Sequence, residues 1–533
     1  MVFKHQNFPK GGSPPSGHRL KYNSLPSAAW PATIKTGDEK GKIDAFWYLD
    51  DTHSQLASAR EEVKTQHHVT LGILDNGFSA GHAGAPENLD DSPDGNAVET
   101  LDRDSHSSQV KPGSTNGSHG TGTLGIYAGG YVDILESKVK GRTIAAYHGY
   151  LGGAPHAKKV VLVRIAPWVA SLTTADLAYG IDYASRRKSC DVLSLSHGGA
   201  PSQAWADAIN AAYDRGTAMF AAESDFFSLA FDPIQPRGVL IPASPVYPAG
   251  FRPVIGVTGV TADGRSYAKN FLSRLIEHPL NFGDWIFRGS YGPDGSWLTP
   301  FGSSEVADPS ETTGRHGVGI YRAYPVAAYS PNIPWSVAPS PENQFATDLI
   351  DLNGSGTSAA TPQVAAAAAL WLEKHHAEFD EKAWHSWKKS EAVYDALLAS
   401  AYRDPKIKRW PDRYLGVGTL KADAAIRVSL KDVQRLNDKQ FIDYHQAPRD
   451  FADGARSLAS LFGLVRHVPI SDRADLRQVS RPDESREEAL KRIYFNMLLL
   501  EKWQNGRLPR ADHDEPLLEA RASSLAATAT EKH

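Results

Sequence analysis

Between Val69 and Val260 the chain alternates two apolar patterns. Short, nearly continuous apolar runs recur in VTLGILD, which ends at Asp75, and in KKVVLVRIA (Lys158 to Ala166). They continue in CDVLSLS (Cys190 to Ser196), GTAMFAAE (Gly216 to Glu223) and PVIGVTGV (Pro253 to Val260). Runs of this length and composition suit strands buried on both faces, as in a parallel sheet. Between them the spacing becomes helical. TTADLAYGIDYASRRK puts Leu177, Ile181 and Ala184 on one face, and SQAWADAINAAYDRG gathers Trp205, Ala208, Ile209 and Ala212 before closing at Gly216. Strand and helix in alternation predict an α/β fold built on a doubly wound, mostly parallel sheet.

The pattern changes at both ends. Residues 1–45, rich in Pro, Gly and Ser at their start, read as a flexible N-terminal arm, and residues 46–428 as one large domain. Within it, residues 261 to about 350 carry few periodic runs and read as long surface loops. Residues 429–533 read as a helical C-terminal extension with a disordered tail. There Ser485 and Glu488 form a capping box ahead of a face shared by Leu490, Ile493, Met497, Leu500 and Trp503. Packing of this extension on the core is favoured over a module that binds a protein partner.

Composition narrows the function classes. Of 533 residues, 41% are hydrophobic, enough for a substantial core. The net charge of -4 and a pI near 6.6 give no broad surface for nucleic acid or an anionic membrane. The single cysteine, Cys190, allows no intrachain disulfide and suits a small core position. No signal peptide or membrane-spanning run is seen, so a soluble cytoplasmic protein is expected, with leaderless export left open.

Three residues stand where chemistry is expected. Open parallel sheets bind ligands at the carboxyl ends of their strands, and Asp75 closes one such strand in ILDNGF. His119 opens the glycine-rich stretch SHGTGTLGIYAGG, at the start of a helix with little bulk around it. Ser358 stands in LNGSGTSAATPQVAAAAALWLEKHH, between a glycine-rich turn and an alanine-rich helix. A serine there sits among unpaired backbone N–H groups at the positive end of the helix dipole. Small neighbours let a carbonyl group approach, and the backbone donors can stabilise an oxyanion. A histidine can take the hydroxyl proton near neutral pH, and a carboxylate can orient that histidine.

These motifs resemble those of the subtilisin-like serine proteases, the subtilases. VTLGILDNGFSAGH, with its later His82, resembles the aspartate motif, SHGTGTLGIYAG the histidine motif, and NGSGTSAATPQVAAAAAL the serine motif. The order Asp, His, Ser is that of subtilisin. LGGAPHAKKVVLVRI, CDVLSLSHGG and YPAGFRPVIGVTGV resemble segments between and after them, so the likeness spans about Val69 to Ile426. It implies a serine endopeptidase with Ser358 as nucleophile, His119 as general base and then acid, and Asp75 as the orienting carboxylate. It also implies that LSLSHGG pairs with an extended substrate backbone through Ser196, His197 and Gly198. The expected partner is a protein or peptide substrate.

One departure is plain. The family places an oxyanion-binding asparagine where this chain has Asp225, preceded by Ser224. A protonated Asp225 could donate a hydrogen bond, and Ser224 could donate if the loop shifts by one residue. Glu223 and Asp225 also make a basic substrate side chain conceivable, weighed against a Glu223 that points into solvent. The alternative function is a catalytically weak or inactive subtilase-fold scaffold that binds peptides. A lipase or esterase would need a G-x-S-x-G elbow in another chain order, which GTSAA does not supply. No cofactor is required. A structural calcium site is conceivable in the acidic stretch holding Glu87, Asp90, Asp91, Asp94, Glu99, Asp102 and Asp104, although a solvated acidic loop fits better. The glycosylation sequons at Asn116 and Asn353 carry little meaning without a secretion signal.

Overall fold

The structure is a computed structural model. It describes mainly residues 18–23, 42–63, 67–90, 119–166, 170–199, 203–223, 248–267, 325–338, 347–382, 387–407 and 415–430. Strands of four or more residues are numbered in chain order. The main sheet contains β2 (Thr70–Asp75), β5 (Lys159–Arg164), β6 (Val192–Leu195), β7 (Ala218–Ala222), β8 (Val254–Val260) and β9 (Val326–Tyr329). All its pairings are parallel, in the order β9-β8-β7-β6-β2-β5. The five apolar runs of the sequence are five of these strands. β2, β6, β7, β8 and β9 are buried at every residue, which is why they show no alternation.

Helices cover both faces. Asp75 meets α2 (His119–Ala128), whereas Leu74, its neighbour along the strand, packs toward Gly180 of α3 (Thr174–Asp182). Successive strand residues point to opposite faces, so α2 and α3 lie on opposite sides. α4 (Gln203–Asp214) packs against α3, and α5 (Thr357–Lys382) runs along β6, β7, β8 and β9. Residues Ala365 to Ala369 of α5 are buried, and these short side chains let the helix lie close to its neighbours. α6 (Trp387–Ser400) and α7 (Ala422–Ile426) close the α5 side. The order reverses around β2: β5 lies on one side of it, and the next strand, β6, on the other. Such a reversal opens a crevice at the carboxyl ends.

A second sheet has the order β10-β11-β1-β3-β4. It is formed by β1 (His18–Tyr22), β3 (Tyr131–Ile134), β4 (Tyr147–Tyr150), β10 (Ile333–Ser336) and β11 (Leu349–Gly354). β1 is parallel to both of its neighbours. Composition suggested a loose arm here, yet His18–Tyr22 is the middle strand of this sheet, with Leu20 and Tyr22 buried. Ala45, Phe46, Trp47, Tyr48 and Leu49 are likewise buried in the core. Two stretches expected to be loop also form strands, β9 and β10. The partners that order β1 lie far along the chain, so local periodicity carries no sign of them. The expected C-terminal helices lie outside the described residues.

Candidate functional site

The loop after β2 is built to meet α2. Asp75 is fully buried at the end of β2, and its carboxylate accepts from three donors. His119 Nδ1 lies 2.7 Å away, Thr123 Oγ1 2.9 Å and the Asn76 amide 2.7 Å. With Asp75 as acceptor, the neutral His119 ring carries its proton on Nδ1, which leaves Nε2 as the acceptor nitrogen. The side-chain oxygen of Asn76 accepts from the Gly120 amide at 3.2 Å, satisfying an open donor of the first turn of α2. Arg164 Nε donates to the Asn76 carbonyl at 3.0 Å and holds that loop from β5.

The glycines of α2 cost helix propensity but permit close contact. A Cβ on Gly120 would clash with the Gly77 carbonyl oxygen and press on Asp75, and one on Gly122 would enter the Trp335 indole. Trp335 of β10 in turn stands edge-on to the His119 ring at 5.6 Å. His82, from the same motif, bridges the loop to β11. It accepts from the Gly84 amide through Nδ1 and donates through Nε2 to the Leu349 carbonyl at 3.0 Å. Burial lowers its pKa and keeps it neutral, as that pairing requires.

Ser358 is the second residue of α5 and half-buried. Its amide belongs to the first helical turn, whose N–H groups lack intrahelical acceptors. Its carbonyl would ordinarily bond the amide four residues on, but that residue is Pro362, which has no N–H. Ser196 Oγ donates to this carbonyl instead, at 2.9 Å. One residue later, Gln363 Nε2 donates to the Tyr329 carbonyl at 2.7 Å, and Gln363 Oε1 accepts from the Tyr329 amide at 3.1 Å. The first turns of α5 are thereby pinned to the ends of β6 and β9. The Ser358 hydroxyl makes no hydrogen bond among the described residues.

His197 follows Ser196. It is 1% exposed, and neither ring nitrogen has a partner among the described residues. Burial is the main cause that brings its pKa down to about 4. Asp75 opposes that shift and His119 reinforces it, which places His197 within the field of both. Gly198 and Gly199 pair in parallel with Ala170 and Ser171.

Glu223 does not point into solvent: it is 5% exposed, one residue past β7. Its Oε1 fills space that a Cβ on Gly256 would occupy, and its Oε2 has no partner among the described residues. Burial alone raises its pKa to about 8. Ser224 and Asp225 lie outside the described residues, as do Asp91, Asp94, Glu99, Asp102 and Asp104. Among the described residues no cluster of three or more potential ligands could hold a metal. Asp90 of the acidic stretch is buried beside two lysines, Lys188 at 2.8 Å and Lys159 at 3.5 Å, so its charge is already matched. Of the stretch considered for calcium, only Glu87 and Asp90 are among the described residues. The Thr123 and Asn76 contacts were not foreseen, although both residues stand inside quoted motifs; the signal for the Ser196 bond was Pro362, four residues after Ser358.

The sequence matches the subtilase family over residues 66–419. The chain belongs to the subtilase family. Its parallel sheet with helices on both faces is the subtilisin-like fold, and the family is one of serine peptidases. No curated protein matches the sequence. Among solved structures, the protease domain of PatA, determined as a serine-to-alanine variant, is similar at 16% identity and a TM-score of 0.41. That match covers 69% of this subtilase and 98% of the PatA domain. Among its described residues, no helix is long and apolar enough to cross a membrane.

Proposed function

We propose that this subtilase is a serine endopeptidase that cleaves peptide bonds through an acyl-enzyme, with Ser358 as nucleophile. The observation that carries the reading is the fully buried Asp75 carboxylate held against His119 Nδ1 at 2.7 Å. That bond fixes one tautomer and leaves Nε2 to take the Ser358 proton and return it to the leaving amine. Asp75 stabilises the imidazolium that forms between these steps. The Ser358 amide, in the first turn of α5, supplies one donor for the tetrahedral oxyanion. Hydrogen bonds between nucleophile and base are often long before substrate binds, in keeping with a Ser358 hydroxyl that is unpaired among the described residues.

A second oxyanion donor is assigned to Asp225 in its protonated form, or to Ser224. Losing one such donor typically costs about 10²–10³ in turnover, which leaves a slow enzyme. The backbone from Ser196 to Gly198 is the proposed edge for an extended substrate, and the chemistry needs no cofactor. Asp225 in place of asparagine also supports a second reading, a peptide-binding scaffold with little or no turnover.

Hydrolysis of a casein-type substrate from pH 4 to 10, with Ser358→Ala as control, separates the two. Activity that disappears in the variant, together with fluorophosphonate labelling of Ser358, supports the endopeptidase. A folded protein that neither cleaves nor labels at any pH leaves the scaffold.

A further inference from the structure

β1 lies between β3, the strand that follows the His119 helix, and β11, the strand that precedes the Ser358 helix. Its first half pairs with β3, through His18–Val132, Arg19–Asp133 and Leu20–Ile134. Its second half pairs with β11, through Lys21–Leu349 and Tyr22–Ile350. β3 follows directly from α2, the His119 helix, across Gly129 and Gly130. β11 ends at Gly354, four residues before Ser358. β1 therefore joins the chain leaving the histidine to the chain entering the serine.

The bonds are specific and distant in sequence. The Lys21 amide donates to the Asp348 carbonyl and the Asn23 amide to the Ile350 carbonyl, both at 2.8 Å. Asn23 Nδ2 reaches Asp351 Oδ1 at 2.9 Å, and the Lys21 ammonium lies 2.7 Å from the Asp348 carboxylate. Leu20 and Tyr22 point inward, and the Tyr22 hydroxyl donates to the Ala145 carbonyl at 3.3 Å. On its other edge β11 is held by β10. Among the described residues β1 pairs with no strand of the main sheet, although Leu20 and Tyr22 join the common hydrophobic core.

We infer that residues 18–23 form a positioning strand, which sets the segment entering Ser358 in register with the His119 helix. The slot between β3 and β11 then accepts an extended peptide of this kind by strand addition. The inference rests on the reading of Ser358 as nucleophile. Cutting the chain after Asn23 would slow the enzyme once the strand departs, and a peptide carrying HRLKYN would restore it.

The test compares the full chain, a chain lacking residues 2–23, and the full chain with Lys21→Pro, which removes the donor to Asp348. The readouts are the rate of fluorophosphonate labelling at Ser358, kcat and KM on a peptide substrate, and the thermal melt. The shortened chain is expected to keep a cooperative melt, to label at least about tenfold slower, and to lose kcat with KM changed by less than about threefold. A synthetic peptide spanning residues 16–24 restores labelling saturably, and a scrambled peptide does not. Lys21→Pro falls between the full and shortened chains. Equal labelling of all three chains, or a shortened chain that the peptide does not restore, overturns the inference and leaves the endopeptidase reading intact. A full chain that never labels at Ser358 overturns both.

Discussion

The Ser196 hydroxyl occupies the carbonyl of Ser358 at 2.9 Å, the position that the Pro362 amide would fill if residue 362 had one. A proline one turn into a helix thus frees an acceptor, and the end of β6 takes it. The bond ties the proposed nucleophile to the strand whose next residues are the proposed substrate edge. Ser196→Ala should cost about 1 kcal/mol of stability, by leaving that carbonyl unpaired, and about tenfold in kcat, by loosening Ser358. Pro362→Ala restores an amide that can satisfy the carbonyl. The double variant should therefore lose less than the sum of the single ones, with a coupling of at least about 0.5 kcal/mol. Strict additivity in a denaturation cycle would count against the geometry described.

Asp75 and Thr123 test the base. Asp75→Asn keeps the shape but reverses the hydrogen bond to His119 Nδ1, favouring the wrong tautomer. A loss of about 10⁴ in kcat is expected, with KM little changed. Thr123→Val removes one donor to the carboxylate and should reduce kcat by about tenfold, as for loss of a single hydrogen bond to a charged group. Kinetics on one chromogenic peptide measure both.

Glu223 makes the fold sensitive to alkali. Its pKa rises from an ordinary carboxyl value to about 8 in the folded protein, so folding favours the protonated form. That contribution is fully present below about pH 4.5, weakens as the unfolded chain ionises, and is gone above about pH 8. Glu223→Gln cannot ionise. It should raise Tm by a few degrees at pH 9 relative to the parent and change it far less at pH 5. Equal shifts at the two pH values would refute the assignment.

His197 acts in the opposite direction. Its folded pKa of about 4 lies below the ordinary histidine value, so the neutral ring is favoured by folding. The stability is present above about pH 6.5 and is lost as pH falls through about 4. Asp75 and His119 are the titratable groups that act on it electrostatically. His197→Leu should flatten the decline of Tm between pH 6.5 and 4, and a variant with the parental slope would exclude His197 as its source.

The sequence by itself determined the α/β class, five strands of the main sheet, and the places of Asp75, His119 and Ser358 at a strand end and two helix starts. Those features depend on neighbours within a few residues, through burial on both faces, helical spacing and small side chains at a turn. Tertiary structure decided the rest, because it depends on which distant segments meet. Nothing in HRLKYN marks it as the middle of a sheet; Asp348, Ile350 and Val132 do that from more than a hundred residues away. The sequence leaves Glu223 open between a pocket acid and one in solvent; the structure buries it beside Gly256 of β8. The triple satisfaction of Asp75 likewise needed α2 to dock on β2, since a carboxylate's partners are chosen by the contact of two elements and by neither sequence alone.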